Sequence, residues 1–151
     1  MSREQLHLTV AAIVHFKLQF LFVEEIDKQS GKRVLNQPAG HVEQDEDLVS
    51  AVKRELLEET GLNLEPTAWL GISQLTAANG HRYVRLNFLF EPAELPSHFQ
   101  PQDCDILALH WFSALELTQA ELPVRSRLVT DAIEVFKQGV RLPLTLIQPP
   151  R

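Results

Sequence analysis

The chain has 151 residues, 44% of them hydrophobic and 23% charged, which predicts one folded domain and excludes a disordered chain. A net charge of −6 argues against binding a nucleic-acid polymer, and the single Cys104 excludes an internal disulfide framework and a cysteine zinc cluster. No apolar run reaches the roughly 18–20 residues of a membrane span, and Met1 to Gln5 is polar without a signal-peptide layout, so the expectation is a cytoplasmic protein with no membrane partner.

Leu8 to Val14 is apolar and β-branched, the pattern of a buried strand. A second strand is predicted around Phe20–Val23, followed by a turn over Asp27–Lys32 that contains Ser30-Gly31. Arg33–Gln37 reads as a short strand ended by Pro38. A helix is predicted from an Asp47 N-cap to Thr60-Gly61, since glycine tolerates the left-handed position after a helix end. Trp69–Thr76 and Arg82–Phe90 read as strands, with Asn79-Gly80 as the turn between them. Glu91–Gln102 is a Pro-rich loop and Ile106–Phe112 a further strand. Pro123 is expected to open a last helix whose core side is Leu128, Val129, Ala132, Ile133 and Phe136, stopped by Gly139. The tail from Val140 is expected to be partly extended, with a frayed end at Gln148-Pro149-Pro150. These elements predict an α/β (α+β) fold, a mixed sheet with two main helices on its faces, in a single domain over 1–151.

The negative charge is not spread evenly. Gly40 to Leu62 holds seven acids and two bases, a net of −5 within 23 residues. Such a run is commonly a solvated helix face. Its geometry argues otherwise. At about 100° per residue from Leu48, Val52, Leu56 and Val49 fall between about 40° and 100°, while Glu59, Glu55 and Glu58 fall near about 20°, −20° and −80°. The glutamates therefore overlap the apolar stripe. Like charges three and four residues apart repel, and burial makes this worse unless a cation compensates. Two compensators remain open at this point: Arg54 in a structural ion network, or a divalent hard cation with oxygen ligands.

The spacing from Gly40 through Glu46 to Arg54-Glu55-Leu56-Leu57-Glu58-Glu59-Thr60-Gly61-Leu62 resembles the Nudix box, with all nine specified positions matching. The resemblance implies an α/β/α sandwich and an enzyme that hydrolyses phosphoanhydride bonds of small-molecule di- and triphosphates. It implies Mg²⁺ or Mn²⁺ at Glu55, Glu58 and Glu59, with the Gly40 carbonyl completing the site. Arg54 would orient a glutamate, Glu46 would support the loop, and Leu56 and Leu62 would be core.

A narrower resemblance rests on Asn36-Gln37-Pro38-Ala39-Gly40-His41 before the box and on Asp103-Cys104-Asp105 before His110-Trp111-Phe112-Ser113. These look like the NudJ-type phosphatase branch of the family. That branch implies orthophosphate release from nucleoside di- or triphosphates, or from thiamine or hydroxymethylpyrimidine pyrophosphate. Here Asp105 becomes a candidate extra ligand or base. The alternatives are a MutT- or ADP-ribose-type pyrophosphohydrolase, and a nucleotide-binding module that does not hydrolyse.

Within this reading, Glu55 or Asp105 would take the proton of the attacking water. Arg82 and Arg85 could meet substrate phosphates or be solvent-facing strand charges. His41 could line the site as a ligand. Phe88, Tyr83 and Trp69 could stack on a ring or fill the core. Cys104 sits beside two acids, a poor setting for a thiolate, and receives no role. The expected partner is a small phosphate compound, and the expected state is a monomer, with a homodimer as the alternative.

Overall fold

The computed structural model describes residues 5–95 and 99–150. Most of the polar N-terminal stretch and the centre of the Pro-rich loop, 96–98, lie outside these residues. The strands are β1 (Leu6–Phe16), β2 (Gln19–Ile26), β3 (Arg33–Asn36), β4 (Ala39–His41), β5 (Ala68–Thr76), β6 (Arg82–Phe90) and β7 (Ile106–Phe112). The helices are α1 (Leu48–Thr60), α2 (Ala114–Gln119) and α3 (Arg127–Lys137), followed by a 3₁₀ turn at Leu144–Leu146.

The strands form a mixed sheet in the order β3-β2-β1-β6-β5, with β4 on β1 and β7 on β2. Only β1 and β6 run parallel among the named pairs. β1 pairs β2 only at His15–Phe20 and Phe16–Gln19, across a turn in which Lys17 and Leu18 both have positive φ. Towards its start β1 pairs β4 instead, through Thr9, Val10 and Ala11. The two halves of the sheet therefore diverge, and β4 sits where they part.

Alternation along β1 sorts its side chains to two cores. Val10, Ala12 and Val14 face α1 and pack with Val52, Leu56, Leu86, Phe88 and Phe90. Ala11 and Ile13 face the other way and pack with Phe22, Leu35, Leu89, Val129, Ala132 and Ile133. Helices thus cover both faces, as the α/β/α expectation requires.

One local expectation needs correction. Pro123 does not open the last helix. Its carbonyl accepts from Leu35 N–H, Val124 bridges Leu35, and α3 begins after Ser126, whose hydroxyl accepts from Leu128 N–H. A short helix, α2, was not anticipated; Ser113 and Glu116 cap its start reciprocally. The tail is partly extended as expected: Leu142 pairs Trp69, and Leu144 and Ile147, ahead of Gln148-Pro149-Pro150, pack against the α1 core. Among the described residues no helix is long and apolar enough to cross a membrane.

Candidate active site

The site grows from the ends of α1. Asp47 accepts from Ser50 N–H at 2.6 Å and starts the helix. Gly61, at φ 79°, ends it, donating to the Leu57 carbonyl. A side chain at Gly61 would also strike the Gln100 backbone, its Cβ falling 2.5 Å from that carbonyl oxygen. The loop over 99–105 is therefore drawn against the helix end. Gln102 and Asp103 N–H both donate to the Glu58 carbonyl, at 2.8 and 3.0 Å.

Between these caps, burial of Ala51, Val52 and Leu56 turns one helix face to the sheet. It carries Glu55 and Glu59 inward with it, 9% and 6% exposed. Glu58 lies further round, its side chain 46% exposed. Burial raises the pKa of Glu55, against the pull of Arg54. Glu59 is pushed up to about 9, first by burial and then by repulsion from Glu25 and Glu55. It accepts a hydrogen bond from Ala39 N–H at 3.2 Å.

Arg54 gathers most of the acids. Its Nε and Nη2 meet Glu46 at 2.6 and 3.0 Å, a bidentate grip. Nη1 meets Glu55 at 2.9 Å and Glu58 at 3.3 Å, and Nη2 also donates to the His41 carbonyl. The hydrogen bond to Glu46 is the main cause that holds the guanidinium pKa above its ordinary value. Arg54 does not reach Glu59, which has no ion pair within 4.0 Å among the described residues and interacts with Arg85 only at longer range. Buried carboxylate oxygens are a donor set whose chemistry suits a hard divalent cation, although Glu55, Glu58 and Glu59 do not bring three carboxylate oxygens within 4.8 Å of one another. Gly40 lies directly against this set: a Cβ there would fall 2.2 Å from Glu55 Oε1.

Asp105 is exposed and stands with Asp103 and Cys104, their ligand atoms within 4.8 Å of one another. This is the only such trio of His, Cys, Asp or Glu among the described residues. Asp103, not singled out from the sequence, adds to the repulsion felt by Glu59.

On the α3 side of the sheet a cavity of about 300 Å³ is lined by Gly40, His41, Thr9, Glu25, Asn36, Tyr83, Arg85 and Arg125 among others. Arg85 is buried, 6% exposed, and its Nη atoms donate to Gln37 Oε1 at 3.2 Å and Asn36 Oδ1 at 3.1 Å. Burial lowers its pKa to about 10, so it remains charged at neutral pH. Arg82 is elsewhere. It is exposed, bonds Gln74, and does not line the cavity. The two arginines are three apart on β6, an odd spacing that sends them to opposite faces.

Tyr83 lines the cavity and stacks on His7, whereas Phe88 is fully buried in the α1 core and Trp69 packs at its margin. His41 lines the cavity while hydrogen-bonded to His7, and burial lowers its pKa. Sequence reading missed Glu25 and Arg125, and noted Asn36 and Gln37 only as part of a motif, without a role at the site. Arg125 bonds Glu25 at 2.8 Å across 100 residues of chain, and Asn36 bonds the same Glu25 oxygen at 3.0 Å.

The chain is similar to known proteins of one family. A family model described as NUDIX domain matches residues 5–133. The chain is 42% identical over 142 residues to Phosphatase NudJ of Escherichia coli K12, covering 93% of this chain and 90% of that protein. A NUDIX hydrolase structure from Nitrosomonas europaea superposes with a TM-score of 0.85 at 36% identity, covering 94% of this chain and 95% of that one. The NUDIX domain of Shewanella oneidensis NrtR, solved with ADP ribose, shares the fold at 18% identity and a TM-score of 0.73, covering 92% and 93% of the two chains.

Proposed function

The chain belongs to the Nudix hydrolase family, and from that premise we propose that it is a divalent-metal-dependent phosphatase of NudJ type. Its substrates are nucleoside di- or triphosphates or a thiamine-related pyrophosphate, and its product is orthophosphate. The observation that carries this reading is the placement of Glu55 and Glu59. Both are buried, both have raised pKa values, and their neighbours Gly40 and Ala39 line a cavity that also holds an arginine.

Mg²⁺ or Mn²⁺ would be held by Glu55, Glu58 and Glu59 with the Gly40 carbonyl. When bound, the cation neutralises phosphate oxygens and lowers the pKa of water. Arg54 fixes the rotamers of Glu55 and Glu58 so that little reorganisation is left for the reaction. Glu55 or Asp105 accepts the proton of the attacking water. Asp105 would act from the loop that Gln102 and Asp103 tie to the Glu58 carbonyl. Of the two strand arginines, Arg85 serves the substrate, because it alone lines the cavity.

The reading is tested with a panel of nucleotides and pyrophosphates, following products by ³¹P NMR with and without Mg²⁺. Orthophosphate released only with metal supports it. Pyrophosphate, or AMP with ribose phosphate, would instead indicate pyrophosphohydrolase chemistry. Tight nucleotide binding with no product would indicate a binding module.

A further inference from the structure

The cavity has an aromatic end as well as a charged one. Tyr83 lines it together with His41, Leu75 and Ala77, whereas Glu25, Arg85 and Arg125 line the charged part. Tyr83 and Arg85 are two residues apart on β6, so their side chains leave the same face of the strand about 7 Å apart. Leu75 is the β5 neighbour of Tyr83, and His7 is its β1 neighbour.

Tyr83 is braced from one side. The His7 ring stacks on it with centroids 4.6 Å apart and planes at 12°. His7 is not part of the cavity wall, so it covers the face of Tyr83 turned away from the cavity. His7 is itself held by both ring nitrogens. Its Nδ1 is hydrogen-bonded to His41 Nε2 at 2.9 Å and its Nε2 to His81 Nδ1 at 2.8 Å. A neutral imidazole has one donor and one acceptor, so it makes both bonds without an added proton. His41 is fixed in turn, because its carbonyl accepts from Arg54.

Tyr83 packs in neither hydrophobic core. Three histidines therefore hold one phenol ring at a cavity wall, where core packing does not account for it. A flat face fixed before a ligand arrives binds with little ordering cost.

We propose that Tyr83 is the stacking face of a subsite for a flat heteroaromatic ring, the organic end of the substrate, with His7 as its positioning residue. The inference rests on the phosphatase reading and deepens it: it names the class of group attached to the phosphates. The substrate is an aromatic diphosphate or triphosphate of the nucleotide kind, and not a sugar or aliphatic one. Stacking tolerates any base because every base has a π-face, so the subsite accepts such rings without selecting one.

The test uses two matched probes that resist hydrolysis at a P–CH₂–P bridge. Adenosine 5′-(α,β-methylene)diphosphate carries a ring, and methylenediphosphonate does not. Both are titrated calorimetrically into the full chain with Mg²⁺. The wild type is expected to bind the adenosine probe at least tenfold more tightly. Tyr83→Leu should weaken the adenosine probe about tenfold and leave methylenediphosphonate within about twofold. Tyr83→Phe, which keeps the ring face, should retain the wild-type preference.

A second pair of variants leaves Tyr83 in place. His7→Ala should weaken the adenosine probe severalfold, and His7→Phe, which restores a ring behind Tyr83, should recover it. An undiminished preference in Tyr83→Leu or His7→Ala, equal weakening of both probes, or no wild-type preference would each overturn the proposal. Phosphate release from ADP by the wild type, measured in parallel, separates this failure from failure of the phosphatase reading.

Discussion

Gly40 and Glu55 are in such close contact that a methyl group on the glycine would sit 2.2 Å from Oε1 of the glutamate. Gly40 is not among the residues with positive φ, so its requirement is space and not backbone conformation. Gly40→Ala must therefore displace the Glu55 carboxylate. A misplacement of about 1 Å costs on the order of a hundredfold in rate. A hundredfold fall in kcat with a native circular-dichroism spectrum is expected. Full activity would show that Glu55 takes no part in the chemistry.

Glu59→Gln separates stability from turnover at one position. Glutamine keeps the acceptor for Ala39 N–H and removes a carboxylate that is buried and repelled by Glu25 and Glu55. Turnover is expected to fall close to background. The metal-free protein should gain stability at pH 8. A gain of about 1 kcal/mol would raise Tm by about 2–4 °C. Wild-type phosphate release by this variant would sink the metal-site assignment.

The pH dependence follows from the same residue. Its pKa lies near 9 in the folded chain against 4.5 as the ordinary value. The folded state therefore holds a proton that the unfolded state has lost between these limits, and metal-free stability falls as pH rises from about 4.5 to about 9. Glu55, also raised, acts in the same sense. A cation binds the deprotonated carboxylates, so stabilisation by Mg²⁺ should grow with pH. Melting curves in EDTA and in Mg²⁺ between pH 5 and 9 measure both slopes, and Glu59→Gln should flatten the first. A Mg²⁺ effect that does not vary with pH would contradict the prediction.

Arg54→Lys keeps a positive charge and loses the fork that joins Glu46, Glu55, Glu58 and the His41 carbonyl. Groups that orient metal ligands typically contribute about 10–100-fold to metal affinity or activity. The Mg²⁺ concentration for half-maximal rate should rise within that range. An unchanged Mg²⁺ dependence would mean that the glutamates hold their positions unaided.

Arg82→Ala is the contrasting case. Its side chain is exposed and, among the described residues, hydrogen-bonds only Gln74 Oε1, at 3.0 Å. Stability should stay within about 0.5 kcal/mol, as for ordinary surface changes. KM and kcat should stay within about twofold. A tenfold rise in KM would place Arg82 at the substrate after all.

Local chemistry made much of the fold legible. Arg82–Phe90 and Ile106–Phe112 are strands over the residues their alternation indicates, and Asp47 and Gly61 cap α1 as their side chains suggest. The inward turn of Glu55 and Glu59 was visible from helical angles alone, because it depends on one period. Failures arose where partners are distant or elements short. β4 is three residues next to a proline, too short to show a period. Pro123 looked like a helix start, but its carbonyl had a strand partner, Leu35, 88 residues earlier. The Glu25–Arg125 pair joins residues with nothing local to link them. The opposite faces of Arg82 and Arg85 were readable, since three residues along a strand reverse the side chain.

The paired bonds from Gln102 and Asp103 to the Glu58 carbonyl make the loop a built-in sensor of the helix. Exchange of these two amides with deuterium requires the last turn of α1 to release them. Their protection therefore reports, without any attached probe, how often the carboxylate-bearing helix end opens. A ligand that tightens that end should slow both amides together.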